Sequence, residues 1–465
     1  MTGHSHDILI IGAGPGGYVA AIRARQLDLS VGLIERTHLG GICLNWGCIP
    51  TKAMLKGADL LRDARHGERF GVHLGDPAIL PERLVARSVE VSTQLSAGVA
   101  YLLKKNGVDV IWGQADLKGS GNVEVSASPT PAPRGALGPG RYTAPHVILA
   151  TGARPRTLPG IEPDGRLIWT YYDALRPDVV PASLIIVGSG AIGIEFATIY
   201  AAMGTKITLI EREPRILPLE DAEIAGLMDK ALKKAGIVRH VGVSLTKVTK
   251  GADHVTAHLP DGTTLTADRL LSAAGVVANT DGLAALGVVM SAGTVQTDDV
   301  GKTNVPGLYA IGDLTGAPML AHKAEHDGIR CVEAIAGRIA ASHSPVPACI
   351  YASPQIASVG LTEAQALAAG KAVRVGRFSL RGNGKALVLG EPDGLVKTVF
   401  CAETDRLLGA QLIGAEASEL INGLTIALTL GATSAQLAAV IFPHPTLSEA
   451  MHESVLAARE GAIHA

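Results

Sequence analysis

The chain has 465 residues, more than one ordinary hydrophobic core requires, so two to four domains are expected. Apolar residues make up 47% of it and charged residues 18%, which is typical of a folded, soluble protein and excludes a disordered one. A formal net charge of −2 and an aromatic content of 3% argue against nucleic acid or an acidic membrane surface as a partner.

The N-terminal end and two apolar stretches bear on cellular location. Only six residues, "MTGHSH", precede the strand-like run "DILIIG", which predicts no targeting peptide and a cytoplasmic protein. Residues 184–204 and 420–442 are apolar, but Glu195 with a glycine cluster interrupts the first and "GATS" interrupts the second. We therefore expect no membrane segment, and instead buried helices joined to strands or turns.

The segment "HDILIIGAGPGGYVAAIRARQLDLSVGLIER" predicts a strand, a tight glycine turn, a helix and a second strand. Gly12 lets the chain turn, Gly14 lets a pyrophosphate approach the helix N-terminus, and Gly17 lets helix and strand pack closely. Glu35, which lies 21 residues beyond Gly14, can accept hydrogen bonds from a ribose. This combination predicts a dinucleotide-binding unit.

Two cysteines follow this unit in "GGICLNWGCIPTKAML", residues 40–55. In a reducing compartment, a close pair such as Cys43 and Cys48 is more often catalytic or metal-binding than structural. No second pair at zinc-site spacing follows, and the other cysteines are expected to be buried or inert: Cys331, Cys349 and Cys401. Beside a dinucleotide-binding unit, the pair is placed to exchange electrons with a flavin, and Lys52 could add positive charge there.

The glycine pattern recurs in "ASLIIVGSGAIGIEFATIYAAMGTKITLIER". Gly188, Gly190 and Gly193 have the same spacing as in the first unit, and Glu211 lies 21 residues beyond Gly190. Two dinucleotide sites in one chain imply an electron relay in which one cofactor is held and the other exchanges. An acid at the position of Glu211 favours NAD over NADP, although Arg212 lies beside it.

Several stretches together resemble the flavin-dependent pyridine nucleotide–disulfide oxidoreductases. "GGICLNWGCIPTKAML" resembles the redox-active signature of that family, with Thr51 where serine is common. "FPHPTLSEAMHE" resembles the base-bearing stretch of the members that oxidise dihydrolipoamide, and "LATGARP" and "LYAIGDLTGAPMLAHKAEHDG" extend the resemblance over essentially the whole chain. The resemblance implies tightly but non-covalently bound FAD, NAD⁺ as co-substrate, and a redox-active Cys43–Cys48 disulfide.

The resemblance also assigns individual roles. Cys43 is expected to exchange with the dithiol substrate and Cys48 to lie against the flavin. Lys52 and Glu195 are expected to form an ion pair beside the flavin. The remaining implied cofactor contacts are Thr151, Gly152, Asp313 (at the ribityl–phosphate region), Met319, Leu320, Ala321 and His322 for FAD, Ala115 where the family has a glycine, and Gly275 near the nicotinamide.

His444 and Glu449 lie in "HPTLSE". Most lone histidines are ordinary side chains, but within this motif His444 can deprotonate a dithiol, because the unperturbed pKa of histidine lies near neutrality. Glu449 can orient the imidazole and stabilise its cation, and Phe442 replaces a histidine often seen in the family. In the family this base serves the cysteines of the other subunit, which implies a homodimer whose partner is the lipoyl domain of a 2-oxo acid dehydrogenase or glycine cleavage complex.

The predicted architecture is α/β, with two Rossmann-like dinucleotide-binding domains and a C-terminal α+β dimerisation domain. Residues 1–149 and 275–345 are assigned to the FAD domain, 150–274 to the NAD domain and 346–465 to the dimerisation domain. A Pro/Gly-rich stretch at 126–141 is expected to be a surface excursion between strands. The prolines of "SHSPVPACIYASPQ" indicate the last boundary, and "GLVKTVFCAE" and "LLGAQLIG" beyond it predict strands.

Other functions remain to be weighed. A glutathione-type reductase would need arginines where Glu211 stands, a mercuric reductase would carry a terminal cysteine pair that "AAREGAIHA" lacks, and Cys43 and Cys48 disfavour a flavin transhydrogenase. From another class, the chain could be a structural subunit of a complex that retains its cofactors. Turnover with free dihydrolipoamide would distinguish an enzyme from such a subunit.

Overall fold

The computed structural model describes residues 4–119, 121–339 and 344–464. Residues 1–3 of the N-terminal stretch and 342–343 of the proline-containing boundary lie outside the described residues. The chain divides into two compact units. The first unit comprises residues 1–53, 82–156 and 276–343, and the second unit comprises residues 54–81, 157–275 and 344–465.

The helices are between 5 and 25 residues long. In chain order they are α1 (Pro15–Gln26), α2 (Gly41–Trp46), α3 (Cys48–Arg65), α4 (Pro81–Lys105), α5 (Tyr171–Leu175), α6 (Ala191–Ala202), α7 (Ala222–Lys234), α8 (Ala321–Ile335), α9 (Glu363–Ala368), α10 (Gly384–Leu389), α11 (Ala417–Thr429), α12 (Ser434–Ala438) and α13 (Glu449–Ala457).

The strands up to the second glycine turn are β1 (His4–Ser5), β2 (Ile8–Ile11), β3 (Val31–Glu35), β4 (Asp109–Trp112), β5 (Gln114–Leu117), β6 (Asn122–Ser126), β7 (Gly140–Thr143), β8 (His146–Leu149), β9 (Ala153–Pro155), β10 (Ile168–Trp169) and β11 (Ser183–Val187). Those beyond it are β12 (Lys206–Glu211), β13 (Val238–Val241), β14 (Lys247–Lys250), β15 (Val255–His258), β16 (Thr264–Ala267), β17 (Arg269–Ser272), β18 (Val276–Ala278), β19 (Met290–Ser291), β20 (Thr294–Val295), β21 (Leu308–Ala310), β22 (Ala348–Ile350), β23 (Gln355–Gly360), β24 (Val373–Ser379), β25 (Leu395–Cys401) and β26 (Leu407–Gly414).

The first unit is built on a parallel sheet with strand order β21-β8-β2-β3-β4. Its central strand, β2, reads "ILII" and is almost fully buried, as expected for a parallel strand covered on both faces. Helices α1 and α8 approach closely, since a Cβ added to Gly328 would lie 2.6 Å from the carbonyl oxygen of Gly16. The first glycine turn lies between β2 and α1, and so at the carboxyl end of the central strand, where α/β sheets bind ligands.

The Pro/Gly-rich stretch 126–141 joins β6 to β7 and is mostly exposed, so the predicted excursion between strands is present. It is also attached to the parallel sheet. The amide of Leu137 donates to the carbonyl of Val110, and the amide of Trp112 donates to the carbonyl of Leu137, both at 2.8 Å. The excursion thus covers part of edge strand β4, which protects unpaired backbone groups there.

The second unit contains a parallel sheet, β10-β17-β11-β12-β13, and an antiparallel sheet, β22-β23-β26-β25-β24. Helices α11 and α13 pack on the antiparallel sheet around a core that includes Phe378, Phe400 and Ile421. The two apolar stretches noted above form β11 with α6, and α11 with α12. No helix of the described residues combines the length and apolarity needed to cross a bilayer.

The backbone agrees with the predicted fold class in the two glycine units, in strand β21 and in the C-terminal segment. Both glycine units form the expected strand–turn–helix–strand, and β21 rejoins the first parallel sheet beside β8 after the second parallel sheet is complete. The C-terminal segment forms the predicted strands and helices. The α/β prediction is therefore confirmed, while the exact domain limits stay a prediction.

Candidate functional site

In the first glycine turn, two glycines leave no room for a side chain and the third does. A Cβ on Gly12 (φ +106°) would lie 2.3 Å from the carbonyl oxygen of Ala150, and one on Gly17 would lie 1.8 Å from the carbonyl oxygen of Gly12. Gly14, the N-cap of α1, has φ −68°, and its Cβ would meet no atom nearer than 4.0 Å. The protein's own packing requires the outer glycines, but the middle one faces open space.

The second glycine turn repeats this arrangement. Cβ atoms on Gly188 and Gly193 would lie 2.5 and 2.0 Å from backbone oxygens, whereas one on Gly190 (φ −72°) would meet nothing within 4 Å. In both turns the open space lies at a helix N-terminus, where free N–H groups and the helix dipole favour a pyrophosphate. The two cradles therefore fit dinucleotides such as FAD and NAD⁺.

The acids at the ends of β3 and β12 have a structural task that the motif alone did not reveal. One carboxylate oxygen of Glu35 accepts the amide of Ala13 (2.9 Å) and the other accepts the amide of Thr37 (2.8 Å). Glu211 likewise accepts both the amide and the hydroxyl of Ser189 at 2.8 Å. Both acids are buried, so each braces its glycine turn as well as facing a potential ribose.

The predicted redox pair lies across a helix break in the first unit. Cys43 is in α2, Cys48 begins α3, and Gly47 separates the two helices. A hydrogen bond between the two thiols, together with burial, raises the pKa of Cys43, while Lys52 one turn along α3 acts in the opposite direction. Cys43 therefore holds its proton more tightly than an isolated thiol does.

Thr151 and Gly152 lie between β8 and β9, where Asn279 holds them. The side-chain amide of Asn279 donates to the carbonyl of Thr151 (2.8 Å), the hydroxyl of Thr151 donates to the carbonyl of Asn279 (3.1 Å), and the amide of Asn279 donates to the carbonyl of Gly152 (2.9 Å). Sequence reasoning missed Asn279, which is 128 positions from Thr151. No local pattern could have indicated it.

Asp313 lies in a 3₁₀ turn (Gly312–Thr315) and is half-buried. Burial raises the pKa of its carboxyl group, and none of the described residues donates a hydrogen bond to it. Nearby, Lys323 is engaged with Asp327 at 2.6 Å and with Thr315 at 3.2 Å. An acid without a protein donor fits a role as acceptor for cofactor hydroxyl groups.

The other residues assigned by resemblance are placed as follows. Met319 and Leu320 precede α8, and Ala321 and His322 begin it. Ala115 lies in β5 opposite Val125, and Gly275 is exposed between β17 and β18 with φ +88° and no atom within 4 Å of an added Cβ.

In the second unit, His444 and Glu449 are in direct contact. The imidazole Nδ1 lies 2.9 Å from Oε1 of Glu449, and the amide of Thr446 donates to Oε2 at 2.8 Å. Desolvation would raise the pKa of Glu449, but the bonds from Thr446 and His444 outweigh it and hold that pKa below its usual value. The His444 side chain is 78% exposed, which leaves the imidazole accessible.

Glu195 lies in α6 and is buried, with one carboxylate oxygen accepting the amide of Tyr351 at 2.9 Å. Its ion pair with Lys52 stays a prediction. Phe442, which replaces a family histidine, packs its ring 5.4 Å from the ring of His452. Among the described residues, no group of three or more His, Cys, Asp or Glu side chains is arranged to hold a metal ion.

Known proteins resemble this chain over nearly its full length. The family described as Pyridine nucleotide-disulphide oxidoreductase matches residues 6–328, and its dimerisation domain matches residues 346–455. A dihydrolipoyl dehydrogenase from Rhizobium etli is 53% identical over 97% of this chain and 98% of its own length. One from Bacillus subtilis is 42% identical over 99% of both.

Two solved structures have the same fold over nearly the full chain. LpdA from Mycobacterium tuberculosis has a TM-score of 0.89 at 28% identity, covering 97% of this chain and 99% of its own. The HOCl-induced flavoprotein disulfide reductase RclA from Escherichia coli has a TM-score of 0.85 at 25% identity, with the same coverage. Use of FAD and NAD(H), predicted above, is that of the matched family. The chain belongs to the pyridine nucleotide–disulphide oxidoreductase family.

Proposed function

We propose that the protein is a dihydrolipoyl dehydrogenase, which oxidises dihydrolipoamide to lipoamide and passes the electrons through FAD to NAD⁺. The observation that carries the proposal is the hydrogen-bonded pair Cys43 and Cys48, adjacent in the fold to the open cradle at Gly14. The names of the relatives from Rhizobium etli and Bacillus subtilis support the choice of substrate.

His444 acts as the base. Because Nδ1 faces the ionised Glu449, the tautomer with its proton on Nδ1 is favoured, and Nε2 is the nitrogen that takes a proton from the substrate thiol. Glu449 then stabilises the imidazolium that forms. The hydrogen bond from the amide of Thr446 keeps this carboxylate in place without its having to reorganise.

Cys43 and Cys48 take part in thiol–disulfide exchange with the substrate. The substrate thiolate attacks Cys43 of the Cys43–Cys48 disulfide, a mixed disulfide forms, and Cys48 leaves as a thiolate. The second substrate sulfur, deprotonated in turn, attacks the substrate sulfur of the mixed disulfide, so that lipoamide leaves and Cys43 is released and protonated. One dithiol is oxidised and one disulfide is reduced.

FAD and NAD⁺, when bound, would supply the onward electron and hydride transfer. The residues that would hold FAD surround the turn at Gly14, with Asp313 as a free acceptor. Those that would hold NAD⁺ surround Gly190, where the buried acid Glu211 disfavours a 2′-phosphate.

The dimerisation-domain match supports a homodimer. We propose that His444 of each subunit serves the cysteines of the other, which agrees with its exposure in the single chain. Exposed apolar side chains in the same domain, among them Leu430 and Ile441, supply surface for such an interface. The proposed partner is the lipoyl domain of a 2-oxo acid dehydrogenase or glycine cleavage complex, in the cytoplasm.

The test is NADH formation from free dihydrolipoamide by the purified, FAD-loaded protein, with NADP⁺ run in parallel. Rapid turnover with NAD⁺ and little with NADP⁺ supports substrate, direction and the role of Glu211 together. A flavin-loaded protein that turns over with neither acceptor, yet binds lipoyl domains, would instead indicate a structural subunit.

A further inference from the structure

Asn383 is a buried amide that connects two elements of the dimerisation domain. It is 3% exposed and lies just before α10. Its Oδ1 accepts the amide of Ala386 at 2.9 Å, and its Nδ2 donates to the carbonyl of Thr446 at 3.0 Å. The orientation of the side-chain amide is defined, because a backbone N–H only donates and a backbone carbonyl only accepts.

Thr446 is the residue through which this connection reaches the base. Its carbonyl is held by Asn383, and its own amide donates to Oε2 of Glu449 at 2.8 Å. Oε1 of Glu449 in turn contacts Nδ1 of His444. A continuous path of hydrogen bonds, joined through the backbone of Thr446, therefore runs from the buried Asn383 to the exposed imidazole.

We propose that Asn383 is a positioning residue for proton transfer: by fixing the backbone of Thr446, it keeps Glu449 aimed at Nδ1 of His444. The proposal rests on the proposed function, in which His444 is the base. Within its own subunit the His444 imidazole is 78% exposed, so the Glu449 contact is the main one by which its own chain orients it. Displacing a catalytic group by about 1 Å costs on the order of 10²-fold in rate.

Two substitutions separate this role from simple stability. Asn383→Asp keeps an oxygen for the Ala386 amide but loses the donor to Thr446, and Asn383→Ser does the same with a smaller side chain. Thr362→Ala is the matched control, because Thr362 caps α9 in the same domain through the amide of Gln365 (3.2 Å) and has no bond to Thr446.

The measurements are the pH dependence of kcat with dihydrolipoamide and NAD⁺, and turnover of NADH with ferricyanide, which needs flavin but not the base. We expect both Asn383 variants to lose about tenfold or more in kcat. We also expect the rising limb of their pH profile to be displaced from that of the parent, because the base loses part of its contact with the Glu449 carboxylate. Ferricyanide turnover and the Thr362→Ala profile should match the parent protein.

A wild-type pH limb and kcat in both Asn383 variants would overturn the proposal, as would equal losses in Thr362→Ala. If the parent protein itself fails to oxidise dihydrolipoamide, the proposed function fails separately. The positioning role is then decided by NMR of the Nδ1 proton of His444 in the full chain. An Nδ1–H signal that is weakened or lost in Asn383→Ser supports it, and a signal identical to that of the parent refutes it.

Discussion

Glu449 is the more buried partner and His444 the more exposed one in the contact of 2.9 Å between Oε1 and Nδ1. The carboxylate is 30% exposed and held by the amide of Thr446, whereas the imidazole is 78% exposed. The geometry thus places the permanent charge inside and the proton-accepting nitrogen outside. This is the arrangement needed for a base that acts on groups outside its own chain.

Replacing either member of the dyad should slow dihydrolipoamide oxidation. We expect His444→Gln to lower kcat by about 10²- to 10⁴-fold, and Glu449→Gln by about 10²-fold, since the latter keeps the imidazole but not its ionised partner. Stopped-flow or steady-state NADH formation measures both. His452→Gln, which alters a histidine bonded to the carbonyl of Ala438 at 3.0 Å, is the control. Equal rates in the control and the dyad variants would refute the assignment.

Glu449 should also contribute a pH-dependent part of the stability. Its pKa in the folded protein is below the usual 4.5, so the contribution is fully present above that value and is lost as pH falls through the folded pKa. Acid unfolding followed by circular dichroism should therefore show a smaller loss of stability below pH 4.5 for Glu449→Gln than for the parent. Parallel acid-unfolding curves would show that the pKa is not lowered.

The open space at the middle glycines predicts a separation between folding and binding. Gly14→Ala and Gly190→Ala meet no atom nearer than 4.0 Å, so both variants should fold. Gly14→Ala should purify with little FAD, and Gly190→Ala should raise the KM for NAD⁺ about tenfold while retaining FAD, because the methyl group occupies the space for a pyrophosphate. Flavin absorbance per chain and steady-state kinetics measure these effects.

Gly17→Ala is the matched counterpart. Its Cβ would lie 1.8 Å from the carbonyl oxygen of Gly12, so this substitution should prevent the first unit from folding. Full FAD content in Gly14→Ala, or soluble, FAD-loaded Gly17→Ala, would contradict the conclusion that Gly17 is needed for folding and Gly14 for cofactor binding.

The cysteine assignment is tested by counting thiols. The chain has five cysteines, and the oxidised protein, unfolded and titrated with a thiol reagent, should show two fewer thiols than the reduced one. Cys43→Ser and Cys48→Ser should abolish this difference and dihydrolipoamide oxidation while retaining NADH turnover with ferricyanide. Cys349→Ser should keep both, and a loss of the thiol difference in that control would point to another disulfide.

The sequence could predict those parts of the site that depend on local spacing. Three glycines separated by two and then three positions, between a strand and a helix, indicate a nucleotide cradle, and both cradles formed. The same applies to the contact between His444 and Glu449, five positions apart, which fits one turn at the start of a helix.

The supporting contacts could not be predicted, because they join residues far apart in sequence. Asn279 is 128 positions from Thr151, and Asn383 is 63 positions from Thr446. An isolated asparagine carries no periodicity and no charge to indicate its partner. The bracing of each glycine turn by Glu35 or Glu211 was hidden for another reason, since the ribose role alone explains an acid at that position.

A further unanticipated feature is the buried Lys397 on β25. Its Nζ lies 2.9 Å from Asp221, 2.9 Å from Glu363 and 3.2 Å from Glu223. Burial would lower the pKa of Lys397, but the hydrogen bonds to these carboxylates outweigh it and raise the pKa. Arg377 bonds Glu223 and Glu363 as well, at 2.8 and 2.6 Å. The cluster joins the N-terminus of α7 to the antiparallel sheet.

Lys397→Met should destabilise the protein by about 3 kcal/mol, because it leaves three carboxylates facing a site that has lost its ammonium. The sign of the pH dependence follows from the raised pKa. The stabilisation by Lys397 is fully present below its usual pKa of 10.5 and is lost as pH rises through the higher folded pKa, so the stabilities of parent and variant should converge in strongly alkaline solution.

Urea unfolding followed by circular dichroism measures the difference in stability. Lys234→Met, which removes an 83%-exposed lysine 3.5 Å from Asp393, should leave the urea midpoint unchanged. Equal midpoints for Lys397→Met and the parent near neutral pH would show that Arg377 alone neutralises the cluster.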